Sequence, residues 1–115
     1  MINLAAGKCV ACRAGEPTLS DSEIEDLLLQ INGWQVKEVK GEKRIEKLFR
    51  FKNFVQALAF TNKIGAIAEE EGHHPLIITE YGRVTVAWWT HKIGGLHKND
   101  FIMAAKTDEL FEPVQ

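Results

Sequence analysis

The feature that most constrains this chain is a long stretch of helical periodicity that stops at a glycine and a proline. From Asn53 onward, apolar and small residues recur every three or four positions, which predicts one long helix with a single buried face. The residues of this stripe are Phe54, Ala57, Leu58, Thr61, Ile64, Gly65 and Ala68. Gly72 is a typical C-terminal cap, and Pro75 favours an extended conformation at His74. The chain is therefore expected to pass from this helix directly into a strand.

Alternating sequences on both sides of this helix predict two pairs of strands. The predicted strands are residues 34–39, 44–51, 76–79 and 83–90. Gly41 lies between the first two, and Tyr81-Gly82 fits a two-residue hairpin loop between the last two. Hairpins join antiparallel neighbours, so we expect a mainly antiparallel sheet.

A shorter helix is predicted near each end of the chain. Ser20 and Glu23 fit a capping box, and apolar residues follow at helical spacing as far as Ile31. The last helix is expected from about Lys98 to Phe111. The resulting order is α-β-β-α-β-β-α, which predicts an α+β fold with the helices packed on one face of the sheet.

Length and composition indicate one globular domain. The chain has 115 residues, of which 45% are hydrophobic and 26% charged. We expect a single domain over residues 19–115, preceded by an arm over residues 1–18. A net charge of -2 argues against direct nucleic-acid binding, and no apolar run approaches a membrane span or a secretory signal. A cytoplasmic protein without membrane contact is the simplest interpretation.

The predicted arm carries both cysteines of the chain, Cys9 and Cys12. A Cys-x-x-Cys pair can be redox active or form half of a zinc site. There is no second cysteine pair, and no strand–helix context frames this one as in thioredoxins. We therefore expect an inert or loosely ordered arm.

Three of the four histidines stand at breaks between predicted elements. His73 and His74 follow the long helix, and His91 ends the hairpin that begins beyond Pro75. If the hairpin closes at Tyr81-Gly82, its far end returns to the His-His-Pro corner, and three imidazoles then lie at one end of the sheet. Imidazole both donates and accepts protons near neutral pH. With no obvious nucleophile nearby, this pattern suits an elimination, a dehydration or an isomerisation.

Three further side chains are candidates for supporting these histidines or a ligand. Glu69 lies one helical turn before His73, and it could orient an imidazole or bind a polar edge of a substrate. Asp100, in the first turn of the last helix, could do the same for His91. Trp34 offers a flat wall to an aromatic ligand.

The histidines have two other possible interpretations, as metal ligands or as capping and surface residues. A zinc site is disfavoured, because neighbouring side chains diverge and ligands are usually two to five residues apart, so no metal is expected. The histidines could instead be capping or surface residues, which is our interpretation of His97 at the start of the last helix. Trp88 and Trp89 are expected to pack in the core or at an interface, on opposite faces of their strand.

The motif Glu69-x-x-x-His73-His74-Pro75, followed at fixed spacing by Tyr81, His91 and Asp100, resembles the signature of pterin-4a-carbinolamine dehydratases. The similarity extends from about Leu19 to Phe111. It implies a four-stranded antiparallel sheet with helices on one side, and homodimers or homotetramers. It also implies the loss of water from 4a-hydroxytetrahydrobiopterin to give quinonoid dihydropterin, with no cofactor. This reaction recycles the pterin of aromatic amino acid hydroxylases, which makes such a hydroxylase a candidate partner.

The resemblance also implies roles for individual residues. His73 and His91 become the acid–base groups beside the pterin, and His74 becomes a binding and orienting residue whose role overlaps theirs. The groups expected to contact the pterin or support these histidines are Glu69, Trp34, Thr90 and Asp100. Trp89 shares the parity of His91 and is bulkier than the family pattern, which would narrow the pocket.

Two alternatives to this function remain open at the level of sequence. Animal relatives also act as dimerisation partners of a homeodomain transcription factor, so the fold can serve as a non-catalytic interaction module. The same pocket could also belong to a pterin-binding protein of molybdopterin metabolism.

Overall fold

The breaks predicted from glycine, proline and capping residues divide the chain into its elements. The computed structural model describes residues 4–9 and 15–111. The elements are α1 (Asp21–Leu28), β1 (Gln35–Val39), β2 (Glu42–Arg50), α2 (Phe54–Glu71), β3 (Leu76–Glu80), β4 (Arg83–Trp88) and α3 (Lys98–Leu110). Single 3-10 turns occur at Leu4–Ala6 and His91–Ile93. The predicted α+β class and element order are confirmed.

The four strands form one antiparallel sheet in the order β1-β2-β4-β3. The pair Glu80 and Arg83 closes the second hairpin, so Tyr81-Gly82 is a two-residue loop as predicted. The first hairpin turns through Lys40 and Gly41, both of which have positive φ angles, of 53° and 80°. Such angles belong to turns whose twist matches that of the flanking strands. Both hairpins are therefore tight, and α2 connects them.

The core lies between one face of the sheet and helices α2 and α3. The sheet side chains on this face are almost fully buried, and they are Ile45, Phe49, Val84, Val86 and Trp88. They meet the buried residues of α2 and the inner side of α3, represented by Phe60, Ile64, Phe101 and Met103. The predicted stripe of α2 is wrong at Phe54 and Leu58, which are 44% and 42% exposed, because the buried side of the helix is centred on Phe60. On the other face, Leu48, Leu76 and Ile78 are between 40% and 46% exposed. The helices thus cover one face of the sheet, as expected.

The caps at the helix starts agree with the sequence, but α1 is shorter than predicted. The Ser20 and Glu23 capping box is present, and the Asn53 side chain accepts a hydrogen bond from the amide of Gln56. Helix α1 ends at Leu28 rather than at Ile31, because the amides of Gln30 and Ile31 bond three residues back and tighten the last turn. Ile31 nevertheless remains 4% exposed and contributes to the core.

Residues 4–9 are not loosely ordered, whereas the expectation of a chemically inert arm stays a prediction. Leu4 and Ala5 are buried, and the Lys106 ammonium on α3 donates to the Ala5 carbonyl at 2.9 Å. The amide of Cys9 donates to the Glu71 carboxylate at 2.9 Å. This segment therefore packs on α3 and the end of α2. These contacts join residues far apart in the sequence, so no local sequence pattern predicts them. Cys12 lies outside the described residues.

Within the described part of the chain, none of the helices has both the length and the apolar character needed to cross a membrane.

Candidate active site

One buried carboxylate joins three elements of the fold. Asp100 is in the first turn of α3 and is 0% exposed. Its Oδ1 lies 2.6 Å from Nε2 of His73, and its Oδ2 accepts hydrogen bonds from the Thr90 hydroxyl and the His97 amide, both at 2.9 Å. The His97 contact is half of a capping box, which fixes Asp100 at the start of the helix. Asp100 thereby ties the end of α2, the end of β4 and the start of α3 together.

His73 is held in a defined orientation by this carboxylate and by a tryptophan. Its side chain is 12% exposed, and its ring stacks on Trp88 with centroids 5.6 Å apart and planes inclined by 15°. The Trp88 indole is itself fixed by a hydrogen bond to the Thr107 hydroxyl at 3.1 Å. A carboxylate accepts but does not donate, so Asp100 favours the tautomer of His73 with the proton on Nε2. The lone pair is then on Nδ1, where it can accept a proton.

His74 has a carboxylate partner of its own at the surface. Its Nε2 lies 2.5 Å from the Glu69 carboxylate, and the two side chains are 62% and 79% exposed. Gly72 ends α2 in the left-handed conformation, at φ 65°, and Pro75 favours an extended conformation at His74. Successive side chains therefore point to opposite sides, and the second histidine stays accessible to a ligand.

His91 lies just beyond β4, next to the residue that binds Asp100. It is exposed and opens the 3-10 turn His91–Ile93. Its ring packs against Trp89, with centroids 4.6 Å apart and planes inclined by 52°. The Thr90 hydroxyl donates to Asp100, whereas its backbone amide and carbonyl make hydrogen bonds within the loop that ends at Gly95.

The β3–β4 register brings the histidine-bearing segments to the same end of the sheet. Leu76 at the start of β3 is paired with Ala87 near the end of β4. The residues just before β3 and just after β4 are therefore neighbours, and the bond network from His73 through Asp100 to Thr90 crosses between them. The convergence of three imidazoles on one ligand stays a prediction.

The structure does not bring Trp34 into this cluster. Its side chain is 5% exposed, its indole N–H donates to both oxygens of Asp108 at 3.2 and 3.0 Å, and its ring meets the edge of Phe49. Asp108 lies eight residues beyond Asp100 on α3, which is roughly 12 Å along the helix axis. The position of Trp34 gives no support to its predicted contact with a planar ligand.

The described residues hold no obvious metal centre. Among residues 4–9 and 15–111, no three His, Cys, Asp or Glu side chains are arranged to bind one metal ion. The carboxylates near the histidines accept hydrogen bonds instead.

A family model described as pterin 4 alpha carbinolamine dehydratase matches residues 17–110. The chain belongs to this family. The match includes every residue that the Asp100 network contains.

Relatives in the pterin dehydratase family match almost the whole chain. A protein of Marinobacter nauticus with the provisional name pterin-4-alpha-carbinolamine dehydratase is 58% identical, covering 96% of this chain and 100% of that protein. A protein of the same provisional name from Nitrosococcus oceani is 55% identical, covering 97% and 99%.

Two solved structures share the fold. A transcriptional coactivator/pterin dehydratase from Brucella melitensis has a TM-score of 0.74 and 34% identity, covering 82% of this chain and 98% of that one. A pterin dehydratase-like protein described as a RuBisCO assembly factor of the alpha-carboxysome has a TM-score of 0.59 and 25% identity, covering 69% and 89%.

Sequence reasoning did not assign two neighbours of the histidines in this pterin dehydratase family member. Trp88 is predicted from the sequence only to pack in the core or at an interface, but its indole also stacks on the ring of His73. The Arg44 guanidinium lies 3.7 Å from the ring centroid of Trp89, the residue that packs on His91. The strand register could have indicated the Arg44 contact. Ile45 pairs with Trp88, and the next pair in an antiparallel ladder would be Arg44 and Trp89.

Proposed function

We propose that this chain dehydrates 4a-hydroxytetrahydrobiopterin, the pterin-4a-carbinolamine, to quinonoid dihydropterin by histidine acid–base catalysis. Membership of the family and the names of the relatives support the substrate class. The observation that carries the proposal is the Asp100 network, which orients His73 beside the end of β4 where His91 follows.

The reaction needs one proton delivered and one proton removed. A protonated imidazole gives its proton to the 4a-hydroxyl oxygen, and the C4a–O bond breaks as water leaves. A neutral imidazole removes the proton from N5, and the electrons of that N–H bond form the C4a=N5 double bond. No electrons are gained or lost overall, so two imidazoles, one giving a proton and one taking a proton, suffice. We assign His73 and His91 to this pair.

His74 and Glu69 act in binding. Both side chains are more than half exposed, so a ligand can reach them at the same end of the sheet. The Glu69 carboxylate is an acceptor for N–H groups on the polar edge of a pterin. Thr90 and Asp100 support the site by holding the chain next to His91 and the ring of His73.

A direct assay tests this proposal. The purified protein should accelerate the decay of 4a-hydroxytetrahydrobiopterin, followed by absorbance. His73→Ala and His91→Ala should each lower the rate by about 10²-fold or more, the usual cost of a lost acid–base group. His97→Ser is the matched control, because serine also caps helices and keeps the backbone amide that binds Asp100. A wild-type rate equal to that in buffer would overturn the proposal.

The physiological role we propose is recycling of the pterin used by an aromatic amino acid hydroxylase. In a reconstituted assay with such a hydroxylase and limiting pterin, addition of this protein should sustain product formation. His73→Ala protein should not. Equal product formation with the wild type and with His73→Ala would contradict the role.

Self-association is supported by three exposed apolar side chains near the start of α2. Phe54, Val55 and Leu58 are 44%, 76% and 42% exposed there. We expect a homodimer or homotetramer, and Val55→Glu should reduce its mass in sedimentation experiments. A wild-type monomer that captures a different protein, together with absent pterin turnover, would favour the non-catalytic interaction role instead.

A further inference from the structure

His91, one of the two proposed acid–base residues, has a structured support on the face of the sheet that the helices leave uncovered. Trp88 and Ile45 pair across β4 and β2 and point toward the helices. The next residue of β4 and the preceding residue of β2, Trp89 and Arg44, therefore point to the other face. There the guanidinium carbon lies 3.7 Å from the indole centroid, which is the geometry of a stacked cation–π contact.

The same indole also contacts the imidazole. The ring of His91 lies 4.6 Å from Trp89, centroid to centroid, and His91 itself is exposed. An exposed histidine on a short turn normally samples several rotamers, so a wide rigid neighbour restricts where its nitrogens lie. Trp89 is only 9% exposed, which makes it a fixed surface for this purpose.

The polar atoms of the pair do not explain why these residues are here. Within the described chain, Nε1 of Trp89 and Nε of Arg44 are buried without a hydrogen-bond partner. Burial of an unsatisfied donor opposes folding, so the polar atoms are not the source of any benefit. The two residues contribute their planar groups. The Arg44 guanidinium stacks on the Trp89 indole, and the indole packs against the His91 ring.

We propose that Arg44 and Trp89 are positioning residues for His91, acting as a stack that fixes the orientation of its imidazole. The inference rests on the proposed function, in which His91 is half of the acid–base pair. A loosened imidazole would still allow the pterin to bind but would reach the proton-transfer geometry less often. Loss of the stack should therefore lower kcat and leave KM nearly unchanged.

Substitutions at Trp89 separate the ring from its N–H group. Trp89→Leu removes the aromatic face and should lower kcat about 10-fold, with KM within about twofold of wild type. Trp89→Phe keeps a face but deletes the unpaired donor, and it should retain most of kcat. If Trp89→Phe instead raises KM by about 10-fold while kcat is unchanged, the N–H binds substrate and the positioning role is wrong.

Substitutions at Arg44 test the second layer of the stack. Arg44→Lys preserves the charge but loses the planar group, and a decrease in kcat of about threefold is expected. Arg50→Lys is the matched control, because Arg50 lies on the same strand and the same face but is exposed. Equal effects of the two lysine variants on kcat would overturn the contribution of Arg44.

A spectroscopic measurement keeps this inference separable from the proposed activity. The Trp89 ring current should displace the His91 ring proton resonances in the wild type, and this displacement should be lost in Trp89→Leu and kept in Arg50→Lys. An inactive wild type that shows the displacement would refute the dehydratase proposal but not the stack. Resonances that do not move in Trp89→Leu would refute the stack itself, whatever the activity.

Discussion

His73 and His74 are consecutive residues with the same kind of partner and very different surroundings. Each places its Nε2 against a carboxylate, at 2.6 and 2.5 Å. The His73 side chain is 12% exposed and its partner Asp100 is 0% exposed, whereas His74 and Glu69 are 62% and 79% exposed. Distance alone therefore says little about what a pair contributes, because water weakens the exposed contact and leaves the buried one almost at full strength.

The backbone explains how neighbours come to differ so much. Gly72 ends the helix in the left-handed conformation, and Pro75 favours extended chain at the residue before it. Extended chain sends one ring into the space between sheet and helices and the next toward solvent. The buried histidine is suited to accurate proton transfer and the exposed one to meeting a ligand.

The largest effect that would sharpen this contrast is expected from the buried carboxylate. Asp100→Ala leaves the His73 ring, the Thr90 hydroxyl and the His97 amide without their common acceptor. We expect the free energy of unfolding in urea to fall by about 3–5 kcal/mol. Glu69→Ala is the comparison variant and should change it by less than about 0.5 kcal/mol. Similar losses in both variants would break the contrast.

The two histidines themselves should differ in the same direction. His73→Ala removes the ring stacked on Trp88 and leaves one oxygen of Asp100 unpaired, so a loss of about 2–3 kcal/mol is expected. His74→Ala should stay within about 0.5 kcal/mol of wild type. Urea denaturation of both variants measures this, and a more destabilising change at His74 would show that burial is not what separates them.

A smaller effect is expected from the residue beneath the buried ring. Trp88→Phe keeps an aromatic face for His73 but removes the N–H that donates to the Thr107 hydroxyl. We expect a loss of about 1–2 kcal/mol in unfolding experiments, together with retained dehydratase activity. Loss of activity with unchanged stability would mean that the indole does more than support the ring.

The smallest effect is expected from an ion pair at the surface, between Lys43 and Asp21. The Lys43 ammonium lies 2.6 Å from the Asp21 carboxylate, and its hydrogen bond and charge lower the pKa of Asp21 below its ordinary value of 3.8. A carboxyl whose pKa is depressed on folding adds stability above its unfolded pKa and loses it as the pH falls through the folded pKa.

The variant Asp21→Asn should therefore be slightly less stable than wild type at neutral pH and equal to it in strong acid. Thermal unfolding across this pH range measures the difference, which salt should reduce further. A difference that grows toward acid pH would contradict the sign of the shift.

The parts of the fold that local chemistry decides could be predicted from the sequence. The two tight hairpins, the Ser20 capping box, the helix end at Gly72 and the cap at His97 depend on neighbours within a few residues. The end of α1 at Leu28 could not be predicted, because the residues up to Ile31 keep an apolar period while their hydrogen bonds tighten.

The sequence predicted which segments meet at this end of the sheet, but not the contacts between their side chains. The hairpin indicated that the corner at His73 lies beside the end of β4. Which carboxylate contacts which ring depends on how α3 docks: Asp100, expected to support His91, lies against His73. The hydrogen bonds of Trp34 to Asp108 depend on the same docking. The docking of Leu4 on α3 is likewise a long-range contact without a local signal.

The Asp100 carboxylate caps the start of α3 through Oδ2 and holds His73 through Oδ1, so the first turn of α3 is a structural component of the proposed chemistry. Fraying of that first turn, an event that most helices tolerate, would here release the imidazole. Amide hydrogen exchange at residues 97–100 would therefore measure how often this turn opens and His73 loses its contact with Asp100.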